Sequence, residues 1–193
     1  MIIKEPKWKS WIVETTTPLF TPEQCQKIID CGRRQKPQQA QVGMNKPEGC
    51  VDTKKRVTTI SWIPIEEMKP MYNDLNNFIQ KANENHFGFG DIQVTENAQF
   101  TEYPEGGFYD WHMDCDVNMA HEPPVRKISM TLLLSPENQF EGGDLELMAK
   151  GKKAKLKQGH AIIFASFLNH KVNPVTRGVR QSLVCWFGGK PFR

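Results

Sequence analysis

The sequence lacks the features that mark exported, membrane-bound or disulfide-stabilised proteins. It has no cysteine pair at CxxC spacing, which argues against the common zinc-binding and redox motifs. It has no apolar run long enough to cross a membrane, and residues 1–14 carry charges and a proline where a signal peptide needs its apolar segment. We therefore expect a soluble, cytoplasmic protein with free thiols at its five cysteines: Cys25, Cys31, Cys50, Cys115 and Cys185.

A strong charge of one sign is also missing. The net charge of +3 is small for 193 residues and is spread along the chain, so it does not form the basic patch of a dedicated nucleic-acid-binding protein. Apolar residues make up 38% and charged residues 24% of the chain, which is the composition of an ordinary globular domain with a sizeable core. Neither nucleic acid nor a membrane is expected as a partner.

The first half of the chain predicts two helices and two strands around one polar segment. Thr21 is predicted as the N-cap of a helix, with Pro22 in its first turn and Gln24 completing a capping box. Gly32 is predicted to end this helix. The other predicted elements are strands over residues 11–20 and 56–63 and a second helix over residues 65–86.

The polar segment 35–54 contains two prolines and two glycines. So long a loop in a compact domain is usually either functional or disordered. We interpret it as a mobile loop, and two readings stay open. It is a lid that closes over a peptide substrate, or it is a disordered insertion.

From residue 92 onward the pattern changes to short apolar strands separated by turn signals. This pattern predicts a jelly roll or barrel, and hence an α+β fold with a double-stranded β-helix core and N-terminal helices packed on one sheet. We expect a support region over residues 1–92 and a catalytic core over residues 93–190, together forming one structural unit. The predicted strands are 92–103, 107–115, 127–135, 144–149, 154–156, 160–165, 170–175 and 180–188.

His112 and Asp114 are the first candidates for chemistry. On a strand, residues i and i+2 face the same way, so an imidazole and a carboxylate would project together. They are two of the three ligands of the 2-His-1-carboxylate triad of non-haem iron(II) oxygenases. An isolated HxD pair more often consists of two polar residues exposed on the protein surface. Here, however, His170 opens a β-branched stretch 58 residues later and can complete the triad.

Arg180 stands ten residues after His170 in a predicted strand. Its planar guanidinium suits a carboxylate, and inside a barrel it would need such a partner. 2-Oxoglutarate would supply one, with its keto-acid end on the iron and its far carboxylate on Arg180. Taken alone, Arg180 would be read as an exposed charge at a strand end.

The segment from Asn97 to Gly189 resembles the catalytic jelly roll of prolyl-4-hydroxylase-type 2-oxoglutarate/iron(II) dioxygenases, and in particular the PKHD group. Two departures are Leu133, where many members have a tyrosine, and Arg180 in place of the usual lysine. The matching stretches are Phe100–Tyr103, Gly107–Tyr109, His112–Asp114, Thr131–Ser135, Glu141–Leu145, Ala161–Phe164, His170–Val172, Pro174–Gly178, Arg180 and Trp186.

The resemblance implies roles for these residues. His112, Asp114 and His170 would bind Fe(II) and form the catalytic centre, and Arg180 would bind the far carboxylate of 2-oxoglutarate. Ser182 would assist it. The remaining assignments are open: Tyr103 lies beside the cosubstrate or packs in the sheet, Trp186 walls the pocket or fills the barrel, and Arg126 contacts substrate or is a solvated charge.

The activity implied by the resemblance is hydroxylation of a peptidyl proline, with O2 and 2-oxoglutarate consumed, succinate and CO2 released, and ascorbate as reductant. A peptide or protein is then the expected partner. Three alternatives remain: another side chain or a small molecule as substrate, demethylation of nucleic acid, and a non-catalytic cupin-like binding module. Alkylation-repair oxygenases usually carry a second arginine shortly after the first, which residues 181–189 lack.

Overall fold

The computed structural model describes residues 10–40, 52–115, 124–148 and 152–192. Within these ranges the chain forms two α-helices, α1 (Pro22–Arg34) and α2 (Lys69–Ala82), and fifteen strands. The strands are β1 (Ile12–Glu14), β2 (Gln38–Gln39), β3 (Arg56–Val57), β4 (Thr59–Ile63), β5 (Gln93–Val94), β6 (Ala98–Tyr103), β7 (Phe108–His112), β8 (Val125–Leu133), β9 (Phe140–Gly142), β10 (Leu145–Leu147), β11 (Lys152–Ala154), β12 (Ala161–Ala165), β13 (His170–Val172), β14 (Val175–Gly178) and β15 (Arg180–Gly189).

Helix α1 begins at the predicted capping box. The Thr21 hydroxyl accepts from the Gln24 backbone N–H at 3.3 Å, and the Gln24 side chain accepts from the Thr21 N–H at 2.8 Å. The helix does not end at Gly32 as predicted but continues to Arg34. Gly32 instead lies against the ring of Phe100, where an added Cβ would meet the ring Cγ at 2.4 Å. This glycine therefore allows close packing of helix on sheet.

Eight of the described strands form the larger sheet, in the order β1-β12-β8-β15-β6-β4-β2, with β5 also paired to β15. Both helices cover one face of this sheet, and their apolar stripes join its core. The residues that fill this core include Ile28, Ile29, Leu75, Ile79, Ile63, Phe100, Ile128, Met130, Leu132, Leu183, Cys185 and Phe187.

Strand β15 divides its side chains between two environments. Leu183, Cys185 and Phe187 point to the helix side and belong to the main core. The alternate residues line a cavity on the opposite face, as period-2 alternation requires. These cavity residues are Arg180, Ser182, Val184 and Trp186.

Five of the described strands form the smaller sheet, in the order β11-β10-β13-β7-β3. It packs over the cavity face of the larger sheet through a second apolar cluster that includes Leu145, Leu147, Phe164 and Val172. Strands β9 and β14 pair separately. Two facing antiparallel sheets with helices on one outer face are the predicted α+β arrangement.

The predicted strand 56–63 is divided between the two sheets. β3 pairs with β7 in the smaller sheet, whereas β4 pairs with β6 in the larger one. Thr58 lies between them, and its hydroxyl donates to the Glu102 carbonyl at 2.8 Å. The chain thus crosses from one sheet to the other at Thr58, which a run of β-branched residues does not reveal.

Other boundaries also differ from the predictions. Strand β1 covers only three residues of the predicted strand 11–20, and β7 ends at His112 instead of residue 115. The predicted strand 170–175 ends at Val172, after which β14 begins at Val175.

The predicted second helix is shorter than residues 65–86. A 3-10 turn (Ile65–Glu67) precedes α2 and a π-helical turn (Asn83–Phe87) follows it. Within the predicted loop 35–54, β2 pairs with β4 and forms the edge of the larger sheet, and residues 41–51 lie outside the described part. Neither helix of the described chain has the length and apolar composition needed to span a membrane.

The contact between Gly32 and Phe100 generates a stability prediction. Gly32→Ala places a methyl group inside the ring's van der Waals radius, so we expect the free energy of unfolding to fall by about 1–3 kcal/mol, as for other overpacked sites. Urea denaturation measures the change. Gly90→Ala is the matched control, because nothing lies within 4 Å of its added Cβ. Equal stability of the two variants would contradict the prediction.

Candidate metal centre

The two histidines of the predicted triad face each other across neighbouring strands. His112 ends β7, His170 begins β13, and the two are direct partners in the antiparallel pairing. Their ring centroids are 4.1 Å apart. Asp114 lies two residues beyond the end of β7, where its backbone N–H donates to the Ser166 carbonyl at 3.0 Å. The turn brings its carboxylate back to the imidazoles.

The three side chains offer one compact set of ligand atoms. The Nε2 of His112 lies 3.8 Å from Oδ1 of Asp114, and the Nε2 of His170 lies 3.6 Å from its Oδ2. All the ligand atoms of the three residues lie within 4.8 Å of one another. An ion bound between them would contact one carboxylate and two imidazoles.

Backbone carbonyls orient both imidazoles. The Nδ1 of His112 lies 2.8 Å from the Asp110 carbonyl oxygen, and the Nδ1 of His170 lies 3.0 Å from that of Leu168. A carbonyl only accepts, so each Nδ1 carries the hydrogen and each Nε2 keeps its lone pair for a metal. Burial, reinforced by the nearby His170, lowers the pKa of His112 to about 3, so this imidazole is neutral at physiological pH.

Asp114 is held as a buried carboxylate. Its Oδ2 accepts from the Ser129 hydroxyl at 2.6 Å, and Ser129 also bonds to the Ser166 hydroxyl at 2.9 Å. Burial raises the pKa of the Asp114 carboxyl, but the two imidazoles and Ser129 lower it by more, so its pKa lies below the ordinary value. Two imidazole nitrogens and one carboxylate oxygen are the ligand set that suits non-haem iron(II).

A cavity of about 460 Å³ lies between the sheets beside these residues. All seven side chains predicted for the site line it: His112, Asp114, His170, Arg180, Tyr103, Ser182 and Trp186.

Arg180 lines the same cavity and is 3% exposed. Its Nη1 donates to the Ser182 hydroxyl at 3.0 Å, and its Cζ lies 5.7 Å from the centroid of the Tyr103 ring. Gly143, with φ of +67°, leaves room for its aliphatic stem, since a Cβ there would lie 2.7 Å from Arg180 Cδ. Burial lowers the pKa of Arg180, yet a guanidinium stays charged. None of the described carboxylates lies within ion-pair distance of it.

The structure shows where two residues with open assignments, Trp186 and Arg126, are located. Trp186 lines the cavity, and its buried indole Nε1 has no hydrogen-bond partner within the described chain. Arg126 is not a solvated charge. It donates two hydrogen bonds to Glu96, at 2.7 and 2.6 Å, and its Cζ lies 3.9 Å from the Trp186 ring centroid.

Three residues of this region were missed by sequence reasoning: Ser129, Arg56 and Gln99. Ser129 has a readable signal, because it alternates with Ile128 and Met130 in an otherwise apolar strand and so must face away from the helices. Arg56 and Gln99 have no such signal. Their proximity, with Arg56 Nη2 3.0 Å from Gln99 Oε1, arises from two strands in different sheets.

Comparison with known proteins bears on the same region. The model of the 2OG-Fe(II) oxygenase superfamily matches residues 98–188. A PKHD-type hydroxylase of Colwellia psychrerythraea is 43% identical over 84 residues, covering 42% of this chain and 37% of the relative. A PKHD-type hydroxylase of Idiomarina loihiensis is 40% identical over 87 residues, or 44% and 38% of the two chains. The matches therefore span about two fifths of the relatives' length.

Solved structures match nearly the whole chain. A prolyl-4-hydroxylase of Pseudomonas putida superimposes with a TM-score of 0.70 at 20% identity, over 94% of both chains. A prolyl hydroxylase of Trichoplax adhaerens, in complex with a hypoxia inducible factor oxygen degradation domain peptide fragment, gives a TM-score of 0.71 at 18% identity over 93% of this chain and 84% of that one. These likenesses confirm the jelly-roll fold.

The hydrogen bond from Ser129 to Asp114 generates a prediction about metal affinity. Removing it in Ser129→Ala frees the carboxylate to rotate, and loss of such a supporting contact typically weakens metal binding by about 10–100-fold. Calorimetric titration of the metal-free protein with Mn(II), a redox-stable substitute, measures the change.

Ser61→Ala is the matched control for this prediction. Ser61 is equally buried and donates to the Gly32 carbonyl, on the helix side of the sheet. This variant is expected to lose stability but to keep its Mn(II) affinity. If Ser129→Ala binds Mn(II) as tightly as Ser61→Ala, the proposed support of Asp114 is wrong.

Proposed function

We propose that this chain is an iron(II)- and 2-oxoglutarate-dependent hydroxylase, and the match of residues 98–188 to the model of the 2OG-Fe(II) oxygenase superfamily supports this proposal. One observation carries the proposal. The cavity holds a His-Asp-His ligand set and, on the same lining, a buried arginine with no carboxylate of its own among the described residues. A dicarboxylate that binds a metal at one end fits both.

His112, Asp114 and His170 are the proposed iron ligands. The carbonyl contacts of the two Nδ1 atoms turn both Nε2 atoms toward the metal position, and Asp114 supplies the carboxylate ligand. A metal held by these three residues would keep coordination positions free for the cosubstrate and oxygen. When bound, iron and 2-oxoglutarate supply the oxidising chemistry, in which decarboxylation to succinate and CO2 is coupled to hydroxylation of a C–H bond.

Arg180 is the proposed partner of the far carboxylate of 2-oxoglutarate. Its charge is buried and has no ion-pair partner within the described chain, although Asp144 is near enough to raise its pKa. A carboxylate bound to it therefore gains a charge-assisted hydrogen bond in a site without competing water. Ser182 fixes the guanidinium, and Ser182 is itself held at 2.6 Å by the Thr101 hydroxyl. Tyr103, paired with Arg180 across β6 and β15, closes this end of the cavity.

The proposed substrate is a peptidyl proline. The prolyl hydroxylase of Trichoplax adhaerens, with its bound peptide fragment, supports a peptide as substrate. The cavity lining also carries the rings of Trp62, Tyr109 and Trp186, whose apolar faces suit a proline ring. The lining also includes Gln38 at the start of the predicted lid, although residues 41–51 of that lid lie outside the described chain.

Further parts of the proposal follow from the same assignment. Ascorbate is the proposed reductant that keeps the iron in its ferrous state, and the cytoplasm is the proposed location. The support region 1–92 and the core 93–190 are proposed to act as one unit. Demethylation of nucleic acid and a non-catalytic binding role lack a supporting observation.

Succinate production tests the enzyme class. Purified protein with Fe(II), 2-oxoglutarate, ascorbate and O2 is expected to release succinate, and His112→Ala is expected to abolish release because two ligands hold iron poorly. Mass spectrometry of the products measures both. Absence of succinate with proline peptides, with methylated nucleic acid and without added substrate would refute the assignment.

The same assay addresses the substrate. A panel of proline-containing peptides is expected to stimulate succinate release, with a gain of about 16 Da in the peptide from one oxygen atom of O2. Matched peptides with alanine in place of proline serve as the control. Stimulation by both sets alike would exclude proline as the target.

The same substitution at Arg180 and at Arg177 tests the proposed role of Arg180 in binding 2-oxoglutarate. Arg180→Gln is expected to raise the KM for 2-oxoglutarate by about 10–100-fold, since it removes a hydrogen bond between charged groups. Arg177→Gln removes an exposed arginine, paired with Glu141, three residues earlier and is expected to leave that KM unchanged. Equal KM values for the two variants would contradict the role of Arg180.

A further inference from the structure

Arg56 is a second buried cation beside the metal centre that the proposed reaction leaves without a role. It is 8% exposed and lines the same cavity as the triad. Its Cζ lies 4.3 Å from the centroid of the Tyr109 ring, and Tyr109 in turn stacks on His112 with centroids 3.5 Å apart. One aromatic ring therefore separates this guanidinium from a proposed iron ligand.

The hydrogen bonds of Arg56 are incomplete. Its Nη2 donates to Gln99 at 3.0 Å, but its Nε is buried and has no partner within the described chain. Gln99 is neutral, and none of the described carboxylates lies within ion-pair distance of Arg56. A buried guanidinium with an unpaired donor is costly, because desolvation of a charged group is offset only by charged or hydrogen-bonding partners.

The other charges of the cavity have partners. Arg126 is neutralised by Glu96. Under the proposed function, Arg180 is neutralised by one carboxylate of 2-oxoglutarate, and a divalent iron by Asp114 together with the other carboxylate. Among the described residues, that count leaves the charge of Arg56 without an anion after the cosubstrate has bound. The substrate is the remaining occupant of the cavity that can supply one.

We propose that Arg56, positioned by Gln99 and Tyr109, is a specificity-determining residue that binds a carboxylate of the substrate. The carboxylate is either an acidic side chain close to the residue to be hydroxylated or a chain-terminal carboxylate. The inference rests on the proposed function for the identity of the substrate as a peptide. Under this proposal the substrate is a peptide with a carboxylate near the residue to be hydroxylated. Only a charged acceptor both neutralises Arg56 and accepts a hydrogen bond from its Nε.

The wild-type protein provides the first test without any mutation. Short acetylated proline peptides are compared in pairs that differ only in one group: aspartate or asparagine at one or two positions on either side of proline, and a free or amidated C-terminus after proline. Binding is measured calorimetrically with Mn(II) and 2-oxoglutarate present, which prevents turnover. At least one carboxylate peptide is expected to bind about tenfold more tightly than its amide twin, and the pair concerned distinguishes side chain from terminus.

Two variants link this preference to Arg56. Arg56→Gln removes the charge and is expected to bind the two members of the pair equally. Gln99→Glu is the sharper variant, because it keeps Arg56 and its neighbours but supplies an internal carboxylate at the atom that Nη2 already contacts. It is expected to abolish the preference for the carboxylate peptide and to raise the midpoint of thermal unfolding by pairing a buried charge.

The outcomes are separable. Equal affinity of wild type for every acid and amide pair, or no binding of any of them, overturns the inference, as does a preference that survives in both variants. A lower thermal midpoint in Gln99→Glu also counts against it, since Arg56 would then be satisfied already. Failure of the proposed function has a different signature: acid-selective binding to the Mn(II) form, but no succinate from the Fe(II) form with the same peptide.

Discussion

The buried carboxylate of Asp114, set between two imidazoles, is the constraint on which the site depends. His112 is neutral there, and within the described chain no lysine or arginine lies within ion-pair distance of Asp114. Ionised carboxylates are costly to bury without a compensating cation, and the hydroxyl of Ser129 supplies only one hydrogen bond. The arrangement is best satisfied by a divalent cation at the Nε2 atoms.

Strands with polar residues on one face and apolar residues on the other allow a polar cavity within a stable fold. Strand β15 carries Arg180 and Ser182 on one face and Leu183, Cys185 and Phe187 on the other. Each fully buried large apolar side chain contributes about 1.5–3 kcal/mol, and the helix layer makes that burial possible. The cavity face can therefore hold charged and hydrogen-bonding groups that contribute little to folding. Gly32 allows α1 of this layer to pack directly against the Phe100 ring of the sheet.

The three arginines that line the cavity differ in how their charges are neutralised. Arg126 has an internal carboxylate, Arg180 has a proposed partner in the cosubstrate, and Arg56 is left with a neutral amide and a stacked phenol ring. An arginine already paired within the chain shapes the wall of a site, whereas an unpaired one attracts a charged ligand. By this difference, Arg180 is the proposed contact of the cosubstrate and Arg56 the proposed contact of the substrate.

Local chemistry along the chain was enough to predict the capping box at Thr21, the strand-rich second half, the HxD pair with His170 and the arginine ten residues later. These rest on short-range spacing, which a sequence displays directly. The partition of residues 56–63 between two sheets, the true end of α1 and the contact of Arg56 with Gln99 depend on partners far along the chain. Period-2 alternation says which residues share a face, but only the packed sheets decide what that face meets. The sequence alone therefore determined the proposed iron ligands, and the tertiary structure decided which charges around them remain unpaired.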